Sequence, residues 1–327
     1  MKRVKFATIG TSSITDKFLK AAQSCPDFEY AAAYSRTLKT AKQFAASHGA
    51  KRYYDSIETL VKDEYIDAVY VASPNALHFE QTMILLNAGK HVLCEKALAS
   101  NASEAKIMVE TARKNHLILM EAMRSLYDPG MQWIKNNLEK LGTVRRATFS
   151  FCQYSSRYDN FKKGLPCNIF SREMSAGALM DIGIYCVEPL IDLFGTPEYI
   201  HAQAVKLDNG IDGCGTILAA YPEMIAELIY SKITAGAAKS EIQGENGIMT
   251  IDAIACPQNV NIRYNDGRTE AYLGDPVESN MIYETEAIIK AIRGELDIEK
   301  MQDVSLNSMA VLDEARKQIG LKFPADL

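Results

Sequence analysis

Val4-Lys5-Phe6-Ala7-Thr8-Ile9-Gly10-Thr11-Ser12-Ser13-Ile14-Thr15 is the stretch whose reading decides the fold of this chain. Val4 to Ile9 is a short apolar run of the kind a strand buried on both faces requires. It stops at Gly10, and a helical pattern follows through Phe18, Leu19 and Ala22. In such a strand–turn–helix, backbone N–H groups and the helix N-terminus form a cradle for an anion, and G-x-G-x-x-G is its pyrophosphate-holding form. Only the first glycine is present; Ser12 and Thr15 occupy the other two positions. A serine still offers its N–H and hydroxyl but approaches a phosphate less closely than glycine does. The turn by itself leaves two readings open, a nucleotide site or one glycine serving geometry alone.

Outward from that turn, strand and helix signals alternate, the pattern of a doubly wound parallel sheet. Phe28 to Tyr34 reads as the second strand and Lys39 to His48 as its crossover helix; Ser56 N-caps Ile57 to Lys62. Ala68 to Ala72 is another buried strand, broken by Ser73-Pro74. Asn75 opens a helix with Phe79, Met83 and Leu86 on one face, and Gly89 ends it. His91 to Cys94 is the next strand. Asn101 with Glu104 resembles a capping box before a helix to Lys114, and Leu117 to Met120 closes the series.

After about Met123 the pattern changes. A helix from Pro129 to Leu138 precedes strand-like segments at Thr143–Tyr154, Ile200–Leu207, Thr216–Tyr221, Ile225–Ile233, Lys239–Gln243, Gly247–Asp252 and Val260–Tyr264. Their close spacing fits antiparallel connections. A longer helical stretch, Ala178 to Phe194, lies among them, and Tyr283–Ile292 and Val304–Ile319 end the chain. The expectation is an α/β Rossmann domain over 1–122, binding a dinucleotide. An α+β domain over 123–327, with a large, mainly antiparallel open sheet, then serves substrate binding and dimerisation.

Composition narrows the function. With 36 Lys plus Arg, 41 Asp plus Glu and a net charge of −5, the chain carries no basic block for nucleic acid or an anionic membrane. The basic-then-apolar start resembles a signal peptide, but its apolar run is too short and ends in a glycine turn. No segment approaches the roughly 20 apolar residues of a membrane span. Seven scattered cysteines without a C-x-x-C pair fit reduced thiols in a cytoplasm. Five dispersed histidines give no metal-ligand spacing, so no metal is expected.

The end of the second strand should carry the residue that reads the adenosine ribose, an acid when the 2′-hydroxyl is free. This chain has Ser35-Arg36 there and Lys39 one turn on. A hydroxyl and two cations suit a 2′-phosphate, which favours NADP(H) over NAD(H); the bland alternative is an exposed basic helix start.

Several further stretches carry a resemblance. They are Val71-Ala72-Ser73-Pro74-Asn75 with His78, then Gly89-Lys90-His91-Val92-Leu93-Cys94-Glu95-Lys96, then Ser175-Ala176-Gly177-Ala178-Leu179-Met180-Asp181-Ile182-Gly183-Ile184-Tyr185, with Leu312-Asp313-Glu314-Ala315-Arg316 near the end. In this order and at these separations the whole chain resembles the Gfo/Idh/MocA oxidoreductases, nearest the branch that includes dimeric dihydrodiol dehydrogenase. There are departures: Glu95-Lys96-Ala97 stands where the family has Glu-Lys-Pro, and Leu126 stands where relatives often carry an arginine, leaving open whether Arg124 takes its place.

The resemblance implies that Lys96, Asp181 and Tyr185 converge on a substrate hydroxyl beside the nicotinamide, and that the turn Ala72-Ser73-Pro74-Asn75, with His78 and Glu95, runs along the cofactor held by Gly10, Thr11, Ser12, Ser13 and Ile14. Asp181 and Tyr185 are four apart in a helical pattern and so share a face. Gly183 between them is unfavourable in a helix by about 1 kcal/mol against alanine, which points to a close neighbour: a ligand, or a tightly packed sheet. Hydride transfer at a carbinol carbon must be matched by proton transfer at its oxygen. A free phenol titrates near about 10, and an adjacent ammonium favours the phenolate. Tyr185 is therefore read as general acid/base, Lys96 as its electrostatic partner, and Asp181 as the group that bonds substrate or orients Lys96. Tyr154 and Arg157 are further candidates to reach the substrate.

Function then has two readings. One is a dehydrogenase or reductase acting on a sugar, polyol or trans-dihydrodiol; the other is a non-catalytic nucleotide-binding sensor on the same fold, favoured by the altered glycine turn. A large sheet with one face free of helices further predicts a homodimer.

Overall fold

The computed structural model describes residues 2–275 and 279–327. These form two compact units, Met1–Met123 with Val277–Leu306 and Arg124–Pro276 with Asn307–Leu327.

The first unit is built on a six-stranded sheet, β1 (Val4–Ile9), β2 (Phe28–Tyr34), β3 (Arg52–Tyr54), β4 (Ala68–Val71), β5 (His91–Glu95) and β6 (Leu119–Ala122), in the order β3-β2-β1-β4-β5-β6. Every neighbouring pair is parallel. The crossovers are α1 (Ser13–Ala22), α2 (Leu38–Ser47), α3 (Ile57–Leu60), α4 (His78–Asn87) and α5 (Ala102–Lys114). Predicted caps are in place: Ser56 accepts from the Thr59 N–H at 3.2 Å and Asn101 from the Glu104 N–H at 2.9 Å, while Glu104 accepts from Ser100. Thr37, not singled out from sequence, caps α2. Phe18 is fully buried, stacked on Tyr70 at 3.8 Å and set edge-on to Phe28, so one aromatic fastens α1 across β2 and β4. The register decides where the candidate residues emerge. Ile9 pairs with both Tyr34 and Val71, and Val71 with Cys94, so Gly10, Ser35, Ala72 and Lys96 leave the sheet at one edge.

The second unit holds α6 (Arg124–Tyr127), α7 (Pro129–Asn137) and α8 (Ser156–Lys162), a π-helical turn at Leu179–Gly183, and α9 (Ile184–Phe194). Its eight strands are β7 (Val144–Cys152), β8 (Tyr199–Lys206), β9 (Asp212–Ala220), β10 (Ile225–Ser231), β11 (Ser240–Gly244), β12 (Gly247–Ile251), β13 (Asn259–Tyr264) and β14 (Thr269–Leu273). Their order is β14-β13-β12-β11-β7-β10-β9-β8. All neighbours are antiparallel except β7 and β10, which run parallel, so spacing alone gives the wrong direction for that pair. One face carries the π turn and α9; on the other, alternate residues of β8, β13 and β14 are exposed.

Two helices come after the second sheet in sequence, α10 (Met281–Ile292) and α11 (Glu299–Gln318). The first of them belongs with the Rossmann unit, not with the sheet before it. It packs on α1, and Arg293 at its end forms a two-pronged ion pair with Asp27 at 2.9 and 2.8 Å. Among the described residues no helix is long and apolar enough to cross a membrane, and no group of three or more His, Cys, Asp or Glu could hold a metal.

Candidate active site

In the first unit the candidate residues gather at the sheet edge where the strand order reverses, between β1 and β4, which is where open α/β sheets bind ligands. Gly10 has φ +110°, and a Cβ there would lie 2.6 Å from the Ala72 carbonyl oxygen. The two strand ends therefore touch backbone to backbone. Ser12 is the N-cap of α1 at φ −89°, and Ser12 and Ser13 are exposed at a helix start whose first N–H groups have no intrahelical acceptor. Thr11 and Ile14 are half-buried beside them, and Thr15 is fully buried. A cradle that any Cβ would fill, ending in an open helix N-terminus, fits a dinucleotide pyrophosphate. At the end of β2, Ser35 is half-buried and its N–H donates to the Tyr54 carbonyl, while Arg36 and Lys39 are exposed. Those two side chains are open to a phosphate.

The turn after β4 and the loop after β5 are stitched together. His78 is fully buried, with its Nδ1 2.9 Å from the Ala97 carbonyl and its Nε2 2.9 Å from the Ser73 carbonyl. Burial lowers its pKa. The neutral ring carries one N–H and donates to one of these two carbonyls while packing against the other, so His78 ties the Ser73-Pro74-Asn75 turn to the loop after β5. Ser73 adds a hydroxyl bond to Gln81 at 2.7 Å. Ala72 is buried and Pro74 and Asn75 half-buried. Glu95 is buried and accepts a hydrogen bond from the Tyr70 hydroxyl. Lys96 follows it, half-buried, and its peptide bond to Ala97 is cis. Beneath the loop, Glu121 accepts from the Leu98 N–H at 2.9 Å, and burial pushes its pKa up to about 7 against the pull of Lys96.

In the second unit Asp181 lies in the π turn and Tyr185 in the first turn of α9, so the plain α-helix expected from Ala178 onward begins with a bulged turn instead. Tyr185 is 7% exposed, with the Phe151 ring edge-on at 5.5 Å and the Arg124 guanidinium 5.6 Å from its ring centre. Arg124 therefore takes the position over the aromatic, while Leu126 is buried. Asp181 pairs with Lys232, the residue just after β10. Gly183 is closely packed: a Cβ there would sit 3.1 Å from Leu179 Cδ1 and 3.2 Å from the buried Tyr230 ring. Tight packing accounts for that glycine.

Two residues that sequence reasoning missed set this geometry. Asp212, fully buried at the start of β9, accepts from the Leu179 N–H at 2.6 Å and so caps the π turn from across the sheet. Gly177 makes room for it: with φ +116°, a Cβ there would lie 2.0 Å from Asp212 Oδ1. The helix has an acidic cap, but from 33 residues away; an S-x-x-E search along the chain cannot find it. Lys232 had no local signal either. Tyr154, by contrast, is occupied by its neighbours: its hydroxyl donates to Asp159 at 2.7 Å and accepts from Lys162 at 2.9 Å. Arg157 is exposed on α8.

Fold and site together define an NAD(P)-dependent oxidoreductase. The family model for the oxidoreductases with an NAD-binding Rossmann fold, GFO/IDH/MocA, matches residues 4–123, and that family's C-terminal domain matches residues 134–250. The chain belongs to the GFO/IDH/MocA family. It is 44% identical to the scyllo-inositol 2-dehydrogenase (NADP(+)) IolU of Bacillus subtilis, over 99% of both chains. It is 27% identical to human trans-1,2-dihydrobenzene-1,2-diol dehydrogenase, again over 99% of each. Among solved structures, KijD10, a 3-ketoreductase from Actinomadura kijaniata in complex with NADP and TDP-benzene, superposes with a TM-score of 0.86 at 24% identity, covering 97% of this chain and 98% of that one. That likeness speaks for the fold.

Proposed function

We propose that this protein is an NADP(H)-dependent dehydrogenase of cyclic polyols, with an inositol as the first substrate to test. The full-length 44% identity to an NADP(+)-dependent inositol dehydrogenase carries the reading. The exposed Arg36 and Lys39 at the end of β2, where an acid would read an unmodified ribose, support the cofactor. Gly10 through Ile14 hold the pyrophosphate, Ser35, Arg36 and Lys39 the 2′-phosphate, and Ala72 through Asn75 with Glu95 the side of the cofactor, with His78 fixing that turn. When bound, the nicotinamide supplies the hydride acceptor or donor. The chain supplies the proton chemistry. Tyr185 takes the carbinol proton during oxidation and returns it during reduction, Lys96 is its electrostatic partner, and Asp181 accepts a hydrogen bond from a substrate hydroxyl.

The test is a reduced-nicotinamide absorbance assay with NADP+ and NAD+ against inositols, trans-dihydrodiols and aldoses. Tyr185→Phe should lower kcat by about a hundredfold or more while leaving the NADPH Kd within twofold. An unchanged rate would remove Tyr185 from the mechanism. NADPH binding without turnover on any polyol would favour the sensor.

The same reading includes a homodimer through the open sheet. Tyr199, Ala220 and Ile225 lie side by side in the register across β8, β9 and β10, with Tyr199 59% and Ile225 43% exposed. A monomeric mass by light scattering at micromolar concentration would contradict it. A cytoplasmic location belongs to it too, supported by seven free thiols.

A further inference from the structure

Lys232 takes no part in the hydride and proton transfers, yet its placement is unusual. Its side chain is 8% exposed, while that of Asp181, its ion-pair partner, is 31% exposed. An ammonium is removed from water to meet a carboxylate that stays accessible. For stability alone this arrangement is poor, because a buried ion pair often does no better than apolar groups of the same volume. The backbone around Lys232 is rigid. Its N–H donates to the Gly213 carbonyl and its carbonyl accepts from the Ser155 N–H, both at 2.9 Å, which pins it between β9 and the start of α8. Just before it, the Ser231 hydroxyl caps the turn by accepting from the Ile233 and Thr234 N–H groups at 3.3 and 2.9 Å. The ammonium is therefore delivered from a fixed strand end to a fixed helical turn.

At 31% exposure the Asp181 carboxylate is reachable from solvent beside the ammonium, and a carboxylate offers about four lone-pair directions. We propose that Lys232 is a positioning residue. It holds Asp181 oriented, so that the accessible part of the carboxylate accepts a substrate hydroxyl one turn before Tyr185. This rests on the polyol-dehydrogenase reading and adds a residue to it. It also sharpens the substrate class: the carboxylate reads a hydroxyl neighbouring the reacting carbinol, so vicinal polyols should be preferred to simple secondary alcohols.

The experiment is a double-mutant cycle in the full-length enzyme, using Lys232→Met, Asp181→Asn and the pair together, assayed with NADP+ and the best polyol. Each single variant should lose about tenfold to a hundredfold in kcat/KM, and the double variant should be no worse than Asp181→Asn within about threefold, because Lys232 acts through Asp181. NADPH affinity should not change. Lys232→Met as active as the wild type would overturn the proposal. So would losses that multiply in the double variant, which mark an independent structural role. Should Lys232→Met fail to fold, Lys232→Gln is read by the same criteria. A wild-type enzyme that turns over no polyol would sink the polyol reading and this one with it, whereas an active wild type with an indifferent Lys232 sinks this one alone.

Discussion

Replacing Asp212 by alanine removes the carboxylate that receives the Leu179 N–H at 2.6 Å at the head of the π turn. Leu179 is fully buried, and its backbone N–H bonds to Asp212. A buried donor left without an acceptor costs about 1–3 kcal/mol. An opposing effect comes from the carboxylate itself, whose pKa burial pushes from 3.8 up to about 6. At neutral pH, keeping it ionised in the folded state costs about 3 kcal/mol, which alanine relieves. Near neutrality the two effects therefore largely cancel, and the full loss, with its fall in Tm, appears only below about pH 4. The sign of the pH dependence is the sharper test. A folded-state pKa above the unfolded one means the wild-type contribution is whole below about pH 4 and shrinks as pH rises through about 6. The gap between wild type and Asp212→Ala should thus be widest near pH 4 and narrow by pH 7, in urea unfolding followed by circular dichroism. Because the π turn carries Asp181, kcat/KM should fall about tenfold even where the variant is fully folded. A gap that stays constant or widens with pH would refute the desolvated cap, and no gap at all would refute the cap itself.

Gly10→Ala combines a disallowed φ with a Cβ 2.6 Å from the Ala72 oxygen; a loss of about 2–5 kcal/mol and at least tenfold weaker NADPH binding are expected by urea melt and fluorescence titration, and wild-type affinity would show that the turn is not the cradle. Arg36→Ala and Lys39→Ala should each raise the NADPH KM by about tenfold or more and leave the NADH KM unchanged, since each removes a charge-assisted bond to the 2′-phosphate; equal losses for both cofactors would argue against that contact. Glu121, its pKa pushed up to about 7 by burial, should make wild-type stability decline between about pH 4.5 and 7 by an amount on the order of 3 kcal/mol, and Glu121→Gln should flatten that decline in pH-dependent melting.

Most of the Rossmann sheet is legible because buried parallel strands and their crossover helices follow local rules, and the caps at Ser56 and Asn101 sit where composition puts them. What escaped was short or distant. β3 is only three residues long, too short for a pattern. β14 is marked in sequence by its turn: Asn265-Asp266-Gly267, with Gly267 at φ +89°, is a hairpin connection after β13. The parallel pairing of β7 with β10 is set by a long intervening stretch and a shared sheet position, neither of which spacing records. In the second unit's site, Asp181 and Tyr185 were readable as an i, i+4 pair. Asp212 holds the turn at Leu179 from 33 residues away and Lys232 pairs with Asp181 from 51 away, and only the sheet brings them in.

The altered glycine turn, which in sequence spoke for a sensor, has a different meaning in three dimensions. The fingerprint asks three things of its glycines: a tight turn, backbone close to the pyrophosphate, and close packing of helix on strand. Gly10 meets the first where no other residue would fit, with φ +110° and the Ala72 carbonyl against the missing side chain. Ser12, in the second place, has φ −89°, which any L-residue adopts, and its side chain is exposed at the helix start. It can add a hydroxyl to the anion site without straining the backbone. Thr15, in the third place, is fully buried, so the helix accommodates its extra atoms inside the unit. Both substitutions fall where the backbone tolerates a side chain, and the one glycine kept is the one whose loss would close the cradle.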